Sequence, residues 1–424
     1  MRVLVIGSGA REHALVHALR RSPGVKEVFA APGNPGIAQA ADVLSVSADD
    51  LPHLAEAASD LRVDLTVVGP ELPLALGIGD DFARRHLRLF GPTRAAAELE
   101  ASKVFSKEFC LRNGIPTGEA VCVRDGDDAV AAARRMGLPV VFKADGLAAG
   151  KGVIIVRSED ALEEAVDTFF VKRRFGDAGE RVLVEECLTG AELSYMVITD
   201  GTRVLPLATA HDYKRVGDGD SGPNTGGMGA HSPAVLPPGT SRHILDDIVR
   251  PVVAALTSEG REYRGLLYVG LMLTDDGPKV LEFNCRLGDP ETQSVLRRLD
   301  GDLAAIMRDA ADGRLEPGCM RWKNEVGACV VLAAAGYPAG PRVGDEITGI
   351  EDAEALPGVV VFHAGTRRDG DRLVTAGGRV LSVTALGDTL GDAVDLAYRA
   401  ADRIHFDGVH RRSDIGADTL KKIG

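Results

Sequence analysis

The run Val-Leu-Val-Ile at 3–6, closed by Gly7-Ser8-Gly9, limits the fold more than any other stretch. A strand that is apolar at every position has no face to offer to water, so it belongs in a sheet covered on both sides. The glycines turn the chain, and 10–21 follows with Leu15, Val16 and Leu19 on one helical face. A second strand at 27–31 ends in Ala-Pro-Gly-Asn, and a third at 64–68 runs into Gly69-Pro70-Glu71. Strands and helical segments alternate to about residue 95, the pattern of a parallel α/β sheet with ligands at the carboxyl ends of its strands. Gly9, Glu12, Asn34 and Glu71 fall at such ends. Strand, glycine turn and helix make an anion cradle. It is not a dinucleotide cradle: Glu12 stands where the third glycine of that fingerprint would be, and the second strand ends without an acid for a ribose. A phosphate-bearing substrate is expected at this turn.

With 424 residues the chain exceeds one hydrophobic core, so two to four domains are expected. Its net charge of −13 argues against a nucleic-acid surface but leaves room for anionic small molecules in a local cleft. No apolar run approaches a membrane span, and the first strand is too short for a signal-peptide core. The six cysteines are scattered without a C-x-x-C pair, as expected of reduced thiols. A cytoplasmic location follows as the expectation.

The middle of the chain gathers groups suited to phosphate. Ser102-Lys103 opens a helix. An apolar strand at 140–143 carries Lys143 into a glycine-rich tip, Gly146 to Gly150-Lys151-Gly152, and a second strand follows at 153–156. Such a flap can close over phosphates through its backbone N–H groups. It is not a P-loop, since Gly152 replaces the hydroxyl residue and a strand replaces the helix. The strand at 182–184 leads into Glu185, Glu186, Cys187 and Leu188, with Glu192 beyond, a hinge that suits an adenine ring and a ribose. Glycine is so dense at 211–233 that an ordered loop around an anion is expected, flanked by Lys214 and Arg215. The strand at 279–283 continues so that Glu282, Asn284 and Arg286 share one face. Carboxylate and amide oxygens suit Mg²⁺, and the guanidinium fork suits phosphate. Arg411-Arg412 reads as a solvated pair.

Lys103, Lys143 with its flap, the 185–188 hinge and Glu282-x-Asn284-x-Arg286 follow one another as in the ATP-grasp fold. The motifs at 7–14, 31–34, 68–71, 143–152, 222–230 and 286–293 resemble, more narrowly, the glycinamide ribonucleotide synthetase family of ligases. The likeness spans essentially the whole chain, including Phe362-His-Ala-Gly-Thr366 and Gly377-Gly-Arg-Val-Leu381. Leu287 departs from the Phe usual in the Arg-Phe-Gly-Asp-Pro-Glu signature, His211 and Tyr213 also vary, and 266–273 lacks the further acidic ligand many ATP-grasp enzymes carry.

The resemblance implies an N-terminal parallel α/β domain (1–102), an ATP-grasp body (103–326) with a lid at about 122–188, and a small C-terminal domain (327–424) that closes the cleft. It implies ATP-dependent joining of glycine to 5-phosphoribosylamine through glycyl phosphate, with Mg²⁺ or Mn²⁺ on Glu282 and Asn284. By the same resemblance, Lys103, Lys143, Gly150, Lys151 and Gly152 hold phosphates. Glu185, Glu186 and Leu188 hold adenine, and Glu192 the ribose. Arg286 stabilises the transferring phosphoryl group with help from Lys214. Gly288 and Asp289 serve glycine, Asp289 through its ammonium, and Asp212 also faces substrate. Gly9, Glu12, Asn34 and Glu71 face phosphoribosylamine. A monomer without nucleic-acid or membrane partners is expected. Another ATP-grasp carboxylate–amine ligase or carboxylase, or a nucleotide-binding regulatory protein, stays open at this point.

Overall fold

The structure is a computed structural model that describes residues 1–146 and 152–423. Its first sheet is wholly parallel: β1 (Arg2–Gly7), β2 (Glu27–Pro32), β3 (Asp42–Val43), β4 (Leu65–Val68) and β5 (Leu89–Phe90), in the order β3-β2-β1-β4-β5. Val3 to Ile6 lie at its centre with no exposed surface, as an apolar run covered on both faces must. The strand order reverses direction at β1. The crevice at its carboxyl end is therefore the place where such sheets bind ligands, and it holds Gly9, Glu12 and Glu71.

A separate antiparallel sheet, order β6-β9-β7-β8, is built from β6 (Ala120–Val123), β7 (Val140–Ala144), β8 (Val153–Val156) and β9 (Val182–Glu186). Its own small core includes Phe142, Phe169 and Val184. The next sheet begins with β10 (Ala191–Asp200) and β11 (Val204–Pro206).

Residues 211–232 differ from the single loop that glycine density predicts. They contain β12 (His211–Asp212), β13 (Arg215–Gly217), β14 (Ser221–Asn224) and β15 (Gly229–Ser232). β13 and β14 form a ribbon. The chain then returns through β16 (Arg264–Thr274) and β17 (Gly277–Asn284), which complete the sheet β11-β10-β16-β17. β15 pairs instead with β18 (Val326–Ala333). With β19 (Val359–His363) and β22 (Arg379–Gly387) this makes the sheet β12-β15-β18-β22-β19, beside a ribbon of β20 (Thr366–Asp369) and β21 (Arg372–Thr375). Strands of two to four residues carry no readable alternation, and the partner of β15 lies about a hundred residues away. Glycine is still needed at Gly227, where φ is 111° and a Cβ would stand 2.3 Å from Pro290 and 2.7 Å from Asp212.

Two further side chains are bound more fully within the protein than their sequence indicates. Arg412 is not solvated; its side chain is 2% exposed and pairs with Asp220 and Asp414. The Asn34 side chain is fully engaged: Nδ2 donates to the carbonyls of Ser8 and His363, and Oδ1 accepts from the N–H groups of Gly36 and Ile37. It ties the first sheet's loop to β19. Asn34→Ala leaves two donors and two acceptors short in a buried place, so we expect a loss of about 1–3 kcal/mol. Thermal unfolding should show it, with Asn34→Asp, which keeps the acceptor, falling between mutant and parent.

Candidate active site

One strand face of the site is placed by a local departure from regular structure. In β17, Gly270 faces Glu282 and Leu271 faces Val280, so Leu281 is an extra residue in a bulge. Its freed carbonyl accepts from Lys143 Nζ at 3.1 Å. Beyond the bulge Phe283, Cys285 and Leu287 are buried, and Glu282, Asn284 and Arg286 take the other face. Arg286 lies between two carboxylates, Nε 3.3 Å from Glu71 and Nη2 3.3 Å from Glu100. Burial opposes its charge, but Glu100 and Glu71 raise its pKa above the ordinary arginine value. Glu100 itself is pushed up by burial, and its other oxygen accepts from Cys285 N–H at 2.6 Å. Its sequence gives no signal beyond an acidic helix end.

A lysine cluster covers the neighbouring wall. Glu185 is buried with Oε2 2.7 Å from Lys143 Nζ and Oε1 3.6 Å from Lys107 Nζ. Its carboxylate therefore serves the two lysines. Lys107 was missed in the sequence; its signal is its place one turn after Lys103 on the helix Lys103–Arg112. Lys107 also donates to Thr117 Oγ1 at 2.6 Å and to Gly118 O. Lys103 Nζ donates to Gly146 O at 2.8 Å, and Asp145 accepts from Ser102 Oγ and Val104 N–H, so the helix start anchors the flap base. Burial lowers the pKa of both Lys103 and Lys107. Gly150 and Lys151 lie outside the described residues; Gly152 O accepts from Ala144 N–H. Glu186 is exposed and accepts from Glu119 N–H, and Leu188 packs near Gly118.

Between these walls lies a small polar pocket lined by Glu192, Ser194, Asp212, Lys214, Tyr268 and Leu281. Lys214 Nζ is 3.1 Å from Glu192 and 3.9 Å from Glu282. The cleft's low polarity works against the Glu282 charge, yet Lys214, Lys143, Lys103 and Arg286 together hold its carboxyl below the usual range. Ser194 Oγ donates to Glu291 Oε1 at 2.9 Å and shares a 2.7 Å bond with Tyr268 OH. Asp212 Oδ1 is buried and has no partner among the described residues. Burial, then the nearby Glu291, pushes its pKa well up.

The first sheet's crevice is arranged differently from expectation. Glu12 turns its carboxylate back onto Gly9 N–H at 2.6 Å and onto Arg11 Nε at 2.6 Å, so it fills the start of its own helix. A Cβ on Gly69 would stand 2.1 Å from that carboxylate. Asp289 accepts from Gln293 at 2.7 Å and pairs with Arg379 at 3.0 Å. Gly288 packs against Glu291, 2.6 Å from a would-be Cβ.

Among the described residues no three His, Cys, Asp or Glu side chains cluster to hold a metal. Glu282 and Asn284 offer two hard oxygens, which fits a cation that takes its remaining ligands from phosphate.

The family models of phosphoribosylglycinamide synthetase match in three parts: the N domain over residues 1–100, the ATP-grasp (A) domain over 101–292 and the C domain over 327–418. The phosphoribosylamine–glycine ligase of Vibrio parahaemolyticus is 48% identical over 421 residues, covering 98% of each chain. That of Salmonella typhi is 47% identical over 427 residues, covering 100% of this chain and 99% of its own. The crystal structure of the phosphoribosylamine–glycine ligase of Thermotoga maritima superposes with a TM-score of 0.86 at 34% identity, over 98% of this chain and 100% of that one.

The Glu185 pairing yields a stability test. Glu185→Gln strands the buried Lys107 and Lys143 charges and should cost about 3 kcal/mol in denaturant unfolding. The exposed neighbour change Glu186→Gln should leave the midpoint nearly unmoved.

Proposed function

The chain belongs to the phosphoribosylglycinamide synthetase family and ligates glycine to phosphoribosylamine with ATP, and we propose that it does so through glycyl phosphate in the cleft between β9 and β17. The observation that carries this reading is the bulged strand face of Glu282, Asn284 and Arg286, met by Lys143 and Lys214. A carboxylate is a poor acyl donor, so its oxygen must first become a leaving group. Glycine's carboxylate oxygen attacks the γ-phosphorus, and the bond to the ADP oxygen breaks. The amine of phosphoribosylamine then attacks the carbonyl carbon, loses a proton, and inorganic phosphate leaves.

In this reading Glu282 and Asn284 hold Mg²⁺ or Mn²⁺, which when bound would neutralise phosphate charge and polarise the transferring group. Lys103, Lys143, Lys151 and the backbone of Gly150 and Gly152 hold phosphates. Arg286 and Lys214 face the phosphoryl group as its charge shifts. The backbone at Glu185, Glu186 and Leu188 takes adenine, and Glu192 the ribose. Glycine's ammonium is better served by Asp212 than by Asp289. Asp212 Oδ1 is buried beside Ser194 and Glu291 without a partner among the described residues, whereas Asp289 is already taken by Arg379 and Gln293. Asp289 and Gly288 then shape the turn around that pocket. Phosphoribosylamine would lie at the crevice of the first sheet, near Gly9, Glu12 and Glu71, with Asn34 setting the loop. The enzyme would work as a monomer in the cytoplasm. No helix among the described residues is long and apolar enough to cross a membrane.

ADP release with glycine and phosphoribosylamine each omitted in turn tests the sequence of steps; release that ignores glycine would overturn it. Glu282→Gln should lower turnover on the order of 10²-fold while the fold survives. A loss of only a few-fold at saturating Mg²⁺ would remove Glu282 from the metal. Asp212→Asn should raise KM for glycine roughly tenfold or more, the worth of a charged hydrogen bond, and leave KM for ATP nearly unchanged. Matching rises in both would sink the ammonium seat.

A further inference from the structure

Lys214 needs close placement, yet local sequence gives it little stiffness. It sits between the two-residue β12 and the three-residue β13, beside a glycine-rich ribbon. On the cleft side its carbonyl accepts from Thr225 N–H at 2.7 Å and Thr225 Oγ1 at 2.9 Å. On the far side, residues 410–418 lie along the same segment. His410 Nε2 donates to Val216 O at 2.8 Å, and Ser413 N–H to Asp218 Oδ1 at 2.8 Å. Gly219 N–H donates to Asp414 Oδ2 at 2.8 Å. Tyr213 OH donates to Asp418 Oδ1 at 2.6 Å and accepts from Gly416 N–H at 2.8 Å.

Arg412 is the centre of this clasp. Its guanidinium makes a two-point pair with Asp414, Nε to Oδ1 at 2.6 Å and Nη2 to Oδ2 at 2.7 Å. Nη1 donates to Asp220 Oδ1 at 2.7 Å and to Arg215 O at 3.3 Å. The same group lies 5.0 Å from the centre of the Tyr213 ring. One buried cation therefore grips the residue before Lys214 by its ring and the residue after it by its carbonyl. Tyr398 OH fixes the clasp in turn, donating to Arg412 O and accepting from Ile415 N–H, both at 3.0 Å.

We propose that Arg412 is a positioning residue of the ligation reaction, acting through Lys214 from outside the cleft. The inference rests on the reading of Lys214 as a group that faces the phosphoryl transfer. A guanidinium is suited to this task because its planar fork satisfies a carboxylate, a second carboxylate and a carbonyl while it stacks on a ring; an ammonium cannot. Loss of the fork frees the Tyr213–Arg215 backbone, and a displacement of about 1 Å at a group remote from the chemistry can cost on the order of 10²-fold in rate.

The test is a double-mutant cycle on full-length enzyme, with ADP and product formation both measured per folded molecule. Arg412→Met should lower kcat about tenfold to a hundredfold and change KM for ATP little. In a Lys214→Ala background the same substitution should change kcat less than about twofold, because residues that act as a unit are not additive. Equal fold losses in both backgrounds would overturn the proposal, as would a loss that vanishes once activity is counted per folded molecule. Full activity in Lys214→Ala alone would instead refute the role of Lys214, a result separate from either. If Arg412→Met does not fold, Asp220→Asn replaces it. The Asp220 side chain is 74% exposed, and its loss removes one grip while Asp414 keeps Arg412 in place. A loss of several-fold that disappears without Lys214 supports the proposal, and an unchanged kcat counts against it.

Discussion

The cleft depends on one electrostatic constraint: cations gathered for a highly anionic substrate must be stable before that substrate arrives. Lys143 presses on both Lys103 and Lys107 where burial already works against their charges, and Lys214 and Arg286 are buried cations of the same cleft, where an unpaired charge is costly. The chain answers with carboxylates. Glu185 spans Lys107 and Lys143, Glu192 and Glu282 meet Lys214, and Glu71 and Glu100 enclose Arg286. In a protein with a net charge of −13, these acids let a local basic site exist without disturbing the fold. On the proposed reading, a nucleotide's phosphates take over part of this pairing on entry, so affinity reports an exchange of partners and not a simple sum of attractions.

The bulge at Leu281 shows how the backbone serves this arrangement. A regular strand would carry the alternation from Lys279 to Asn284 unbroken. The extra residue shifts the pairing so that Gly270 meets Glu282, and it turns one carbonyl toward Lys143. Lys143 is thereby held by an ion pair to β9 and a hydrogen bond to β17, the two strands that wall the cleft. The sheet of β6 to β9 and the strand β17 thus meet at one cation, which on the proposed reading phosphate also binds.

Much of this was legible in the sequence, for identifiable reasons. The buried run at 3–6 and the strand–glycine–helix pattern specify the parallel sheet because apolar periodicity is local. Glu282, Asn284 and Arg286 are readable because a strand has period two, and the bulge at Leu281 falls before them and leaves their parity intact. What sequence could not show is which side chains are already occupied. Glu12, Asn34, Glu185 and Asp289 sit where a substrate contact is expected, yet each spends its polar atoms on the protein itself. Glu100, Glu291 and Arg379 enter the site through tertiary contacts, some across more than a hundred residues, that leave no local pattern.

The same reasoning bears on the block that begins near 327. Most of its core is a distinct cluster that includes Val330, Leu332, Val383 and Ala397, with Tyr213 the one buried member from outside the block. Its polar contacts are not self-contained. β18 takes β15 as a sheet partner, Arg379 binds the backbone at Gly226, Gly227 and Asp289, and Arg412 grips both neighbours of Lys214. Apolar burial decides where a chain can be divided into cores, while directional bonds decide where the active site's geometry comes from. Here the two partitions do not coincide. The segment that carries Asp212 and Lys214 precedes the block in sequence and is held by it in space, so on the proposed role of Lys214 substitutions well beyond residue 400 bear on the cleft as much as on the stability of the last sheet.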